Sequence, residues 1–174
     1  MAPVLLLIDL SKNLLAPGAV PDAAKVSAVI EGLLARARSA GALVIHARPA
    51  DGPGAAGPPG GPEESSRGTL HRGPADEPVV EWEGPHAFAG SGLAGLIPVG
   101  AEVIVAGAES EGGVRATALA ALDRGHRVVL VRGAHASHRA GMARETEATL
   151  RAAGVVVVAP ESVTFEPGGG PTDR

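Results

Sequence analysis

The sequence of 174 residues contains no cysteine, which excludes disulfides, thiolate metal sites and a thiol nucleophile. Tyrosine is also absent, and aromatic residues make up only 2%. The core must therefore be built from Val, Leu, Ile and Ala, and no aromatic platform exists on which nucleobases could stack. There is no basic surplus: 15 Lys and Arg stand against 19 Asp and Glu, a formal net charge of −4. With no Lys/Arg run to neutralise phosphates, no nucleic-acid partner is expected. Long apolar runs are missing too. The opening "MAPVLLLIDLSKN" breaks at Asp9, too soon to span a bilayer, and lacks the basic segment of a signal peptide. No membrane association is expected, and a cytoplasmic protein is the default. The histidines form no metal pattern. His135 and His138 are three apart, but "GAHASHRAG" predicts a solvated loop. Gly107, Gly112 and Gly113 have the wrong spacing for a dinucleotide-binding loop, so no cofactor is expected.

What is present alternates. "VLLLID" at 4–9 is the continuous apolar run of a strand buried on both faces. Apolar residues at Val26, Val29, Ile30, Leu33, Leu34 and Ala37 form a helical stripe that starts near Pro21 and Asp22 and stops at Gly41. Further strands are predicted at 42–48, 78–82, 101–107, 126–133 and 155–160. Helices are predicted at about 91–96, at 112–125 and over "MARETEATLRAAG". This order predicts a single-domain α/β fold: a doubly wound, mostly parallel sheet with helices on both faces. The domain is expected to cover 1–162, with a Gly/Pro-rich mobile loop at 49–68 and a flexible tail at 163–174.

In such sheets ligands bind outside the carboxyl ends of the strands. Asp9 ends an otherwise apolar strand there. A carboxyl so placed is costly to ionise, and its raised pKa suits a general acid. The structural alternative is a carboxylate that caps the turn at Ser11 or Asn13. "AESEG" brings Glu109 and Glu111 to the same crevice, where they could join Asp9 in acid/base work or hold a cation; alternatively, both merely favour the positive end of the next helix. Ser110 lacks a G-x-S-x-G setting and an assignable His or Asp partner.

In order, "VLLLIDLSKNLL", "EPVVEWEGPHAFAGSGLAGLI" and "AEVIVAGAESEGGVRATALAALDRGHRVVLVRGAHAS" resemble the three motif segments of the isochorismatase-like (cysteine hydrolase) superfamily. The last segment is the most specific, and the resemblance spans roughly residues 3–160. It implies a site built on an Asp, a Lys and a Cys. Asp9 matches the Asp. Trp82, or Glu81 if one residue is inserted, stands at the Lys, and Gly113 at the Cys. Thioester chemistry on amides is thereby excluded. The vinyl-ether-cleaving branch of the family also carries Gly at this position and uses its Asp as general acid, although it keeps the Lys. The resemblance further implies a cis peptide at Ala108–Glu109, an oxyanion pocket formed by the amides of Glu109 and Gly113, and a homodimer or homotetramer. The family's usual Gln is replaced by Ser11, and the nicotinamidase branch's metal-binding set has no match after Arg48.

The expectation is thus a hydrolase without a Cys nucleophile, acting by acid/base hydrolysis or rearrangement of a small enol-ether-like or unsaturated metabolite. Asp9 and Glu109 would be catalytic. Ser11, Asn13, Arg48, Trp82, Phe88 and Ser110 would shape the substrate site, with no metal. The alternatives are a non-catalytic relative that binds a small molecule or a partner, and a metal-dependent hydrolase using Asp9, Glu109 and Glu111.

Overall fold

The computed structural model describes residues 2–10, 18–50 and 76–166. Ser11, Asn13 and most of the Gly/Pro-rich loop lie outside the described residues.

β1 (Val4–Ile8) is buried along its whole length, as its unbroken apolar sequence requires. α1 (Ala23–Ser39) follows and buries the predicted stripe at Val26, Ile30, Leu33, Leu34 and Ala37. The chain continues through β2 (Val44–Pro49), β3 (Val79–Trp82), the single turn α2 (Leu93–Leu96) and β4 (Glu102–Ala108). A π turn (Ser110–Val114) leads into α3 (Arg115–Asp123), and β5 (Arg127–Ala136), α4 (Met142–Ala152), β6 (Val156–Val158) and a 3-10 turn (Pro160–Ser162) complete the described elements.

All strand pairs are parallel, in the order β3-β2-β1-β4-β5-β6. This is the doubly wound arrangement. Its strand order reverses between β1 and β4, so the crevice at their carboxyl ends is the natural ligand position. Alternation along β1 feeds two cores. Leu6 and Ile8 face the side covered by α3 and α4, with Trp82, Val114, Ala118 and Leu150. Leu5 and Leu7 face α1, with Val26, Ile30 and Leu33. Val163 and Phe165 are buried in this second core, where Arg36 donates to the carbonyls of Pro160 and Val163 at 2.7 and 3.3 Å.

Two local expectations are corrected. The helix predicted from residue 112 begins as a π turn, with Gly112 at φ −102° and ψ −110°, outside helical geometry. β5 does not stop at Gly133. The β4–β5 register shifts between Val105 and Gly107, and pairing then resumes as Gly107↔His135 and Ala108↔Ala136. The irregularity sets residues 131–134 opposite Ala106 alone and carries the strand on to Ala136.

Candidate active site

Ile8 pairs with Gly107, so β1 and β4 reach their carboxyl ends side by side. Asp9 is the next residue of the first strand and Glu109 follows the end of the second. Asp9 takes a left-handed backbone (φ 46°), and its N–H donates to the Ala47 carbonyl at 2.8 Å. This peptide anchor turns the chain out of the sheet and leaves the half-buried carboxyl at the mouth of the crevice. No hydrogen bond to the Asp9 carboxyl occurs among the described residues. Its pKa is pushed up to about 6, first by burial and second by the Glu109 carboxylate. The alternative of a cap at Ser11 or Asn13 falls on residues outside those described.

The Ala108–Glu109 peptide is cis, as the resemblance implied. The Glu109 carbonyl accepts from the N–H groups of Gly112 and Val114 at 3.1 and 3.2 Å, which closes the corner. The Glu109 carboxylate is half-exposed, with Oε1 3.4 Å from His138 Nε2. His138 is fixed from its other ring nitrogen by the Ala19 carbonyl at 3.1 Å. It thus belongs at the crevice, a position its sequence setting gave no sign of.

Gly113 explains Trp82, and the reverse. A Cβ added at Gly113 would stand 3.2 Å from Ile8 Cγ2 and 3.6 Å from Trp82 Cζ2. The indole, only 5% exposed, fills space that a longer side chain at 113 would need. The corner thus places a glycine beside a buried aromatic ring.

Other expected site residues lie elsewhere or face inward. Arg48 binds Glu81, its register partner on β3, through Nε at 3.0 Å and through Nη2. Phe88 packs under the Arg124 guanidinium (4.5 Å to the ring centroid) and stacks with His126, at the amino end of β5 and thus the opposite end of the sheet from Asp9. Ser110 is fully buried. It does have a partner: Oγ lies 2.8 Å from His135 Nδ1, and His135 Nε2 lies 3.4 Å from Glu147 Oε1. His135 is 3% exposed rather than solvated, a correction that follows from the extension of β5. Burial lowers its pKa, opposed by Glu147. Glu111 accepts from Ser137 Oγ at 2.8 Å, and Glu109 rather than Glu111 acts on the Asp9 carboxyl. Among the described residues, no group of three His, Asp or Glu side chains is arranged to hold a metal ion.

The isochorismatase domain model matches residues 3–162. The chain belongs to the isochorismatase family. Within this family it is a member without the catalytic cysteine. It is 42% identical over 137 residues to a streptothricin hydrolase of Streptomyces noursei, covering 78% of this chain and 49% of that protein. A second streptothricin hydrolase of that organism is 42% identical over 122 residues, covering 69% of this chain and 48% of that protein. The chain thus spans about half the length of the curated relatives it matches. Among solved structures, a zinc complex of the pyrazinamidase of Pyrococcus horikoshii superimposes with a TM-score of 0.76 at 22% identity, covering 91% of this chain and 99% of that one. An isochorismatase of Pseudomonas putida superimposes with a TM-score of 0.77 at 25% identity, covering 93% and 90%. These likenesses establish the fold of this isochorismatase-family chain.

Proposed function

We propose that this isochorismatase-family chain hydrolyses a small enol ether or similarly unsaturated metabolite, with Asp9 as general acid and no covalent intermediate. The carrying observation is the Asp9 carboxyl: half-buried, without a hydrogen bond among the described residues, and with its pKa pushed up to about 6 beside Glu109. A carboxyl so poised is substantially protonated just below neutral pH and can give its proton up.

The chemistry needs nothing that the corner lacks. Asp9 transfers its proton to the terminal carbon of the C=C–O unit, leaving an oxocarbenium ion. The Glu109 carboxylate stabilises the developing positive charge. Water adds to the cationic carbon and returns a proton to Asp9. The hemiketal then collapses to a carbonyl compound and an alcohol, so that one enol ether and one water are consumed. Gly113 and the Trp82 ring supply a flat, uncharged wall, and the amides of Glu109 and Gly113 are available to a substrate oxygen.

The test is turnover of a panel of small enol ethers in D2O and in 18O-labelled water. The expected product carries one deuterium at the carbon that was protonated and 18O in its new carbonyl group. Streptothricin belongs in the panel because it is named in the relatives. Turnover of streptothricin without any enol ether would overturn the proposal. The second reading, a non-catalytic small-molecule-binding or partner-binding relative, is favoured by the closeness of Trp82 to Gly113 and predicts no turnover of any member.

A further inference from the structure

A second concavity has a lining that does not include Asp9, Glu109, Gly113 or Trp82. β6 pairs only with Val129–Val131, so no described strand covers the carboxyl half of β5 on that side. α1 and α4 flank the uncovered stretch and enclose a groove of about 870 Å³. That is the size of a small-molecule site.

Its lining is cationic in a chain of net negative charge. Lys25, Arg132, Arg139, Arg144 and Arg151 face it, against Asp22 and Glu147. Lys25 is paired with Asp22 at 2.8 Å and Arg132 with Glu147 at 3.4 Å. Arg139, Arg144 and Arg151 have no acidic partner among the described residues. Arg144 also stands in the first turn of α4, where the helix dipole disfavours a cation. Placed there, it adds to the positive potential of the helix end instead of offsetting it.

The groove also has a polar group buried within it. His135 lines the groove, with its side chain closed to solvent and its Nε2 3.4 Å from Glu147 Oε1, a carboxylate it shares with Arg132. Guanidinium groups gathered at one concavity without acidic partners among the described residues are what a site for an acceptor-rich ligand requires.

We propose that this groove binds a small multivalent anion, a phosphorylated or polycarboxylate metabolite, independently of the chemistry at Asp9. Guanidinium groups suit both ligand types because each presents paired oxygens to a planar fork.

The test is calorimetric titration with inorganic pyrophosphate, on the full chain, at low and at moderate salt. Saturable binding that weakens with salt is expected, and Arg139→Ala with Arg144→Ala should weaken it at least tenfold. Asp9→Asn should leave it unchanged, so this proposal can fail or stand separately from the catalytic one. Either no binding at millimolar pyrophosphate or binding undiminished in the double variant would overturn it. So would an oligomer that the double variant dissociates without any pyrophosphate binding, because the groove would then be filled by a second copy. Both arginines are exposed, and unchanged thermal unfolding of the double variant excludes a folding defect as the cause of lost binding.

Discussion

Asp9→Asn is expected to lower kcat on any substrate that the wild type turns over by about 10²–10⁴-fold, the usual contribution of a positioned general acid. KM should change little, since the amide preserves shape and removes only the transferable proton. The wild-type rate should fall as pH rises through about 6, where Asp9 loses that proton. The same substitution has an opposite effect on stability. Asp9 holds its proton more tightly folded (about 6) than at its ordinary value of 3.8. Its contribution to stability is therefore complete below pH 3.8 and is lost as pH rises through about 6. Asparagine does not titrate. At pH 7–8 the variant should be more stable than wild type by roughly 1–2 kcal/mol, allowing for partial solvent screening of the carboxyl. The gap should close toward pH 4, as urea unfolding at both pH values will show. Full turnover by the variant would end the acid mechanism.

Gly107→Ala is the substitution expected to damage the fold most. A Cβ there would lie 2.0 Å from the Ile8 carbonyl oxygen, 2.7 Å from its nitrogen and 2.8 Å from its carbonyl carbon. All three atoms are backbone of the central strand and cannot rotate aside. The φ of +140° is itself unfavourable for a residue with a side chain. A loss above about 4 kcal/mol is expected, comparable to much of a domain's total stability. At this chain length that corresponds to a fall in Tm of about 10 °C or more. Gly32→Ala is the matched control: it lies within α1 with nothing within 4 Å of the added Cβ. It should be neutral or stabilising by about 0.5–1 kcal/mol. A Gly107→Ala protein melting within a few degrees of wild type would contradict the close approach of β1 and β4.

The wholly apolar run before Asp9 was legible because a parallel strand covered on both faces leaves no polar position. For the same reason Asp9, the first charge after that run, was legible as the residue leaving the sheet at the crevice. The course of β5 was not. Gly133 looked like a terminator, and only the register shift opposite Val105–Gly107 turns it into an internal irregularity. That concealed His135, and with it the link from Ser110 to Glu147, whose members lie 25 and 12 residues apart and meet only through the fold. Phe88 was misplaced, and the partner of Arg48 was not legible, because motif order locates a segment but not the direction of its side chains. The aromatic turns under Arg124, and the guanidinium finds a register partner on the neighbouring strand. Gly113 and Trp82 were legible as departures from the family pattern. Their complementarity was not, since it depends on a packing in which a Cβ added at Gly113 would meet Trp82 Cζ2 at 3.6 Å.

The central claim is that burial and Glu109 hold a transferable proton on Asp9 near neutral pH. The most direct test needs no substrate: the titration of the Asp9 carboxyl carbon by NMR, in the wild type and in Glu109→Gln. A midpoint near 6 is predicted for the wild type, with a lower midpoint once the Glu109 charge is removed. A wild-type midpoint in the ordinary carboxylate range, near 4, would contradict the claim.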